Sequence, residues 1–292
     1  MIKRIWEYLT NNARWMGGCL AMLAVGWALS PAAQPVWWFR QAEPEATPAP
    51  EPAPISDILL SDGTPADPAT RAILLATPIY QPTADGPLTG HTIAIDPGHG
   101  GYDGGARAAN RGLWEKVYNL QIALTLKDLL TANGATVVMT RDTDAALNDP
   151  NPPGRKKRQD MERRAERVLT HGAEMLLSIH QNDYRIASQH GPQVFYRKDC
   201  PAGRELATLL QTNLNESLYP GSRRRANVGD FYINSLGIPS ALVECGFLSN
   251  AAEEKKLRDP EYQRQIADAL VKSVAEWFAM EKLPEAAARE VR

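Results

Sequence analysis

The chain has 292 residues, 43% of them hydrophobic and 23% charged, with a formal net charge of −2. That is ordinary globular composition and excludes a wholly disordered or fibrous protein. The near-zero charge argues against a protein that grips nucleic acid through its global field, and three cysteines in a chain this long cannot form a disulfide framework.

Lys3, Arg4 and Arg14 make the start of the chain positive, and no charge follows until Arg40. Residues 15–38 are long enough for a span of ~20 mainly apolar residues. Basic residues before this stretch and Glu43, Glu45 and Glu51 after it predict an N-terminus inside and the remainder outside. Residues 1–40 therefore read as a membrane anchor, or as an export signal cleaved at the poor small-residue site Ser30-Pro31-Ala32. Residues 41–90 read as a spacer. Their Pro/Ala/Glu tract, residues 42–54, favours extended polyproline conformation and cannot bury enough apolar area to offset its ordering entropy. Short apolar patches at 55–60 and 72–80 are assigned at most a docking role. A chain starting near Gly90 is expected to keep the whole activity.

The folded unit is expected over residues 91–282, with a tail over 283–292. Residues 91–95 read as a short buried strand ending in Asp96-Pro97-Gly98. Residues 115–132 carry Val117, Leu120, Ala123, Leu124 and Leu130 at helical spacing and stop at Asn133-Gly134. A β-branched strand over 136–140, a charged helix over 160–171 and a strand over 175–179 follow. Residues 193–196 read as a strand, 203–218 as a helix, 231–233 as a short strand at best, 240–243 as a strand and 261–280 as a long closing helix. Strands alternating with helices predict an α/β fold with a largely parallel sheet.

In such sheets, sites form where strands end and loops begin. Parallel strands would bring His99, His180 and Glu244 to one sheet edge, and Glu115 opens the helix after the first loop, within reach of that edge. Two imidazoles and one carboxylate are the ligand set of many catalytic zinc sites. A second carboxylate then serves as base on a water whose pKa the metal lowers to ~7. Each residue alone has a plainer reading: a solvated loop histidine, or for Glu115 an acid favoured by the helix dipole. Glu244, after an apolar strand, is harder to dismiss, because unpaired buried carboxylates are costly. There is no His-Glu-x-x-His helix, and the Gly-His-Gly-Gly loop lacks both phosphate-loop and dinucleotide spacing. His91, His171 and His190 lack this context; His171 reads as a helix-terminus cation.

The run from Ile95-Asp96-Pro97-Gly98-His99-Gly100-Gly101 to Ala106, then Glu115-Lys116, Ser178-Ile179-His180, and Val243-Glu244-Cys245-Gly246-Phe247-Leu248-Ser249-Asn250, resembles the N-acetylmuramoyl-L-alanine amidase family (the amidase-3 type). The resemblance covers residues 91–280. It implies a fold similar to the zinc exopeptidases, a mixed sheet of about six strands between helices. It also implies Zn2+ held by His99, Glu115 and His180, with Glu244 as the catalytic glutamate. The reaction implied is hydrolysis of the amide between N-acetylmuramic acid and L-alanine in peptidoglycan, outside the cytoplasmic membrane. The loop from His99 to Glu115 is slightly longer than the family's usual one, and Cys245 stands where a β-branched residue is commoner. Cys245 reads as a small buried residue behind the site, and a Cys200–Cys245 disulfide is permitted outside the cell.

Residues 182–192 leave no room for the blocking helix of regulated division amidases, so the chain is most similar to the germination-type, spore-cortex amidases, which act between forespore and cortex. Alternatives are a vegetative cell-wall amidase, a non-catalytic peptidoglycan-binding module of the same fold, and a zinc peptidase acting on stem peptides. The partners expected are peptidoglycan and, through the N-terminal segment, a membrane, with no nucleic acid; an activator protein is left open. Arg155-Lys156-Lys157-Arg158 and Arg223-Arg224-Arg225 read as solvated charge outside the site.

Overall fold

A computed structural model describes residues 60, 64–108, 112–152 and 155–281. The expected anchor (1–40), the Pro/Ala/Glu tract (42–54) and the tail (283–292) lie outside the described residues. Among the described residues, no helix is long and apolar enough to cross a membrane.

In chain order the elements are α1 (Pro68–Leu75), β1 (Ile79–Tyr80), β2 (Thr92–Pro97), α2 (Glu115–Ala132), β3 (Thr136–Met139), α3 (Lys156–Thr170), β4 (Met175–Asn182), β5 (Gln193–Tyr196), α4 (Pro201–Leu218), β6 (Asn227–Val228), a 3-10 turn (Tyr232–Ser235), β7 (Ser240–Phe247), α5 (Ala251–Leu257) and α6 (Pro260–Glu281). The described strands form one seven-stranded sheet in the order β1-β3-β2-β4-β7-β5-β6. The central four, β3, β2, β4 and β7, run parallel. Direction reverses at both edges, where β1 is antiparallel to β3 and β5 antiparallel to β7.

Side chains alternate across the sheet, because successive strand residues point to opposite faces. Ile93, Ile95, Leu177 and Ile179 enter the larger core with Ile122 and Leu126 of α2, Leu210 of α4 and Leu270 of α6. Ala94 and Leu176 face the other way, into a smaller cluster with Val168 of α3 and Ile233 of the 3-10 turn. Both faces are covered, which is why the central strands read as short continuous apolar runs.

The folded unit begins earlier than His91. Asp67 caps α1 through the backbone N–H groups of Ala69 and Thr70, Met139 N donates to Pro78 O at 2.9 Å, and Leu88 is wholly buried in the main core. The patch at 72–80 thus supplies a helix and an edge strand. The spacer reading missed them because the segment is short, bounded by Pro68, Pro78 and Pro82, and lacks a full period of either pattern.

Residues 231–233 are not a strand. Asn227–Val228 already occupies the edge beside β5, and the following residues close into the 3-10 turn. α5 was also missed, although its signal is present: Asn250 accepts from Ala252 N and Glu253 N as an N-cap, with Glu253 at the third helical position. β4 and β7 run three and four residues beyond their expected ends, so His180 and Glu244 sit within the ladder. Cys200 and Cys245 are free. Cys200 instead caps α4 by accepting from Gly203 N, and Cys245 is packed in the core, where burial pushes its thiol up.

Candidate metal centre

Three parallel strands deliver the site to one edge of the sheet. Gly98 N continues the β2 ladder by donating to Ile179 O at 2.9 Å. A Cβ on Gly98 would lie 2.1 Å from His180 Nε2, so only glycine lets the β2 exit pass beside that ring. His99 follows with a left-handed backbone, φ 62°. The chain returns at Gly105, whose φ of 70° and absent Cβ bring its backbone against Glu115 and His99; a Cβ there would lie 2.5 Å from Glu115 Oε2. Glu115 is the first residue of α2, where a carboxylate is favoured by the helix dipole. Residues 109–111, the slightly long part of the loop, lie outside the described residues.

His99, Glu115 and His180 converge as expected, with one ligand atom from each lying within 4.8 Å of the others. His99 Nε2 is 3.1 Å from Glu115 Oε2, and His180 Nδ1 is 2.9 Å from Glu115 Oε1. The two imidazoles meet edge to face, with centroids 5.0 Å apart. Ligands about 2.0–2.1 Å from a tetrahedral metal stand about 3.3 Å from one another. Both contacts are near that distance, though to different oxygens of Glu115, and the nitrogen and oxygen donors are of the type zinc takes.

Groups behind the donors fix them. Asp103 Oδ1 lies 3.0 Å from His99 Nδ1, an ion-pair contact behind the ring in which Nδ1 makes no aligned hydrogen bond among the described residues. Asp103 also accepts from Lys157 Nζ at 2.6 Å, so one residue of the basic run read as solvated charge reaches the back of the site. Glu115 accepts from Ala106 N (2.9 Å), Gln181 N (3.2 Å) and Asn119 Nδ2 (3.2 Å). Asn119 also donates to Gly98 O at 3.1 Å.

Burial lowers the His99 imidazole, but Asp103 and Glu115 outweigh it and bring it up to about 9. Burial likewise raises Glu115, yet hydrogen bonds and charge from His180 and His99 hold it well below the carboxylate range.

Glu244 stands directly opposite His180 across the β4–β7 pair. Just beyond, two residues of β4 oppose three of β7, a bulge of the kind found beside active sites. Glu244 Oε2 is buried and has no hydrogen-bond partner among the described residues. Burial first, and the Glu115 charge second, push this carboxyl well above its ordinary value. Such a group is poised to exchange protons rather than to hold an ion pair.

The other histidines stay away from the cluster. His91 pairs with Glu174, and His190 Nδ1 lies 3.0 Å from Ser188 O. His171 stands at the C-terminus of α3 as its cap, with Nδ1 2.8 Å from Arg167 O, and burial lowers its pKa. Sequence reasoning missed Asp103, Asn119 and Gln181. Asn119 had a signal, being one helical turn after Glu115; the other two had none.

Residues 93–276 match the family described as N-acetylmuramoyl-L-alanine amidase. The germination-specific N-acetylmuramoyl-L-alanine amidase of Bacillus subtilis is 34% identical over 195 residues, 66% of this chain and 81% of that one. The amidase LytC of the same organism is 32% identical over 186 residues, 63% of this chain and 35% of its own longer one. Among solved structures, the CwlD amidase from Clostridioides difficile, in complex with the GerS lipoprotein, superposes with a TM-score of 0.63 at 34% identity, covering 65% of this chain and 98% of that one.

Proposed function

The chain belongs to the N-acetylmuramoyl-L-alanine amidase family, and from that premise we propose that it is a zinc enzyme hydrolysing the amide between N-acetylmuramic acid and L-alanine in peptidoglycan. The observation that carries the reading is the convergence of His99, Glu115 and His180, with Glu244 opposite His180. His99 Nε2, a Glu115 carboxylate oxygen and His180 Nδ1 would hold the ion, leaving a position open. When bound, zinc supplies a Lewis acid that polarises the scissile carbonyl and acidifies water.

Glu244 supplies the proton chemistry. Its carboxylate takes a proton from the attacking water and delivers it to the leaving amine of L-alanine, base first and acid second. A buried, unpartnered Oε2 suits both steps, because burial and the Glu115 charge raise this carboxyl above its ordinary value and favour its holding a proton for delivery. Asp103 sets a carboxylate behind the His99 ring, and Asn119 with Gln181 holds Glu115 by hydrogen bonds.

The spore-cortex role is supported by similarity to the germination-specific amidase and by the 183–192 segment, which carries no helix between β4 and β5. Similarity to LytC favours a second reading, action on the vegetative wall. The basic start and apolar residues 15–38 support delivery outside the membrane, as anchor or cleaved signal. Incubating the purified protein with muropeptides and weighing the products tests the activity: free stem peptide and intact glycan are expected. Cleavage within the stem instead would identify a peptidase, and no cleavage a binding module. Loss of muramic δ-lactam from the cortex of a deletion strain decides for the spore role; unchanged cortex decides for the vegetative wall.

A further inference from the structure

Beneath the donors lie two arginines, each 1% exposed, which the proposed chemistry does not use. Arg141, at the end of β3, donates from Nε to Pro97 O (2.9 Å), from Nη1 to Thr143 O (3.0 Å), and from Nη2 to both Gly98 O (2.9 Å) and Lys116 O (3.0 Å). Arg164, in α3, donates from Nη1 to Pro97 O (2.9 Å) and Asp96 Oδ1 (2.8 Å), from Nη2 to His99 O (2.5 Å), and from Nε to Asp160 Oδ2 (3.0 Å). Three consecutive carbonyls, those of Pro97, Gly98 and His99, are thus held by two buried guanidinium groups.

The partners of Arg141 are notable. All four are backbone carbonyls, and among the described residues no carboxylate accepts a hydrogen bond from it. A buried charge without a paired charge is a costly way to fill a core. Its Nη2 lies between the peptide just before His99 and the carbonyl just after Glu115, so a single nitrogen ties the segments that carry two of the three donors. His99 meanwhile holds a left-handed backbone that non-glycine residues adopt only when their surroundings enforce it.

We propose that Arg141 and Arg164 are positioning residues which clamp the left-handed His99 loop and set the His99–Glu115 spacing that the metal requires. The inference rests on the metal-binding reading of the site. The planar five-donor fork is what the clamp uses: lysine keeps the charge but cannot reach several separate carbonyls at once.

The test uses the full-length protein in detergent, with Arg141→Lys, Arg164→Lys and, as a control, Leu130→Ala, a core cavity in α2. Zinc affinity by chelator competition is expected to fall 10–100-fold in Arg141→Lys, the usual consequence of losing a group behind a metal ligand. The visible spectrum of the cobalt-loaded protein is expected to change with it. Leu130→Ala lowers the melting temperature but leaves affinity and spectrum as in the unchanged protein. Amide hydrogen exchange of residues 97–103 in the metal-free protein is expected to quicken in both arginine variants and not in the control. Unchanged affinity together with unchanged exchange in Arg141→Lys overturns the proposal, as does an equal loss of affinity in Leu130→Ala, which would mark a purely structural effect. If the unchanged protein binds no zinc, the metal reading fails, and the exchange measurement still judges the clamp.

Discussion

Replacing Glu244 with Gln separates two consequences of one carboxyl. The amide keeps the shape but cannot accept a proton, and loss of a general base costs ~10²–10⁴-fold, about 2.7–5.5 kcal/mol of barrier. Zinc content is expected to stay at one per chain, since Glu244 is not among the donors. Stability should move the opposite way. Glu244 is raised in the folded protein by burial and then by the Glu115 charge. A carboxyl raised on folding favours the native state below its unfolded value near 4.3 and costs stability as pH rises through the folded value. Each unit of elevation is worth about 1.4 kcal/mol, and Gln removes that cost. Metal-free Glu244→Gln should therefore melt higher than the unchanged protein at pH 7 and with it at pH 4. Muropeptide turnover and melting of chelator-treated protein at both pH values decide the matter. An activity loss under about tenfold, or no gain in melting temperature at pH 7, would refute the reasoning. The search for the base would then pass to Asp183, which burial and the Glu115 charge also raise.

His99→Ala and His180→Ala are each expected to lose zinc, because two remaining donors are too few to hold a catalytic ion tightly; elemental analysis after dialysis checks this. Chelator-treated protein should lose stability as pH rises from about 6.5 to about 9, since His99 is raised to about 9 on folding and its contribution is complete only below its unfolded value. Melting curves across that range, with His99→Ala flat by comparison, provide the check. A chain starting at residue 91 should be much less stable than one starting at residue 64: it loses β1, α1 and the wholly buried Leu88, a side chain whose truncation alone typically costs 2–5 kcal/mol. Thermal unfolding of the two chains side by side measures the difference.

The donors were legible because each stands in or next to a strong local signal. His180 and Glu244 continue apolar runs that can only be buried strands, Glu115 starts a helix whose spacing is plain, and parallel pairing then brings strand exits to one edge. Polar residues at strand ends shortened the expected β4 and β7, since alternation stops marking a strand where the ladder runs into the site. α1 and β1 were illegible for a different reason: two paired residues and an eight-residue helix are fixed by what they dock on, not by their own pattern.

The least legible layer lies beneath the donors. Arg141 and Arg164 are 43 or more positions from the carbonyls of Pro97 and Gly98 that they hold, and an arginine in a chain reads as surface charge until its partners are known. Asp96 shows the same. Burial would raise it, but the Arg164 charge, with hydrogen bonds from Thr140, Arg164 and Ser178, brings it down to about 2. From sequence it is only the polar residue ahead of a Pro-Gly turn. In the fold it joins β2, β3, β4 and α3 at a single buried carboxylate. The candidate donors thus sit where their neighbours in sequence announce them, while the residues packed beneath them have partners that only the fold supplies.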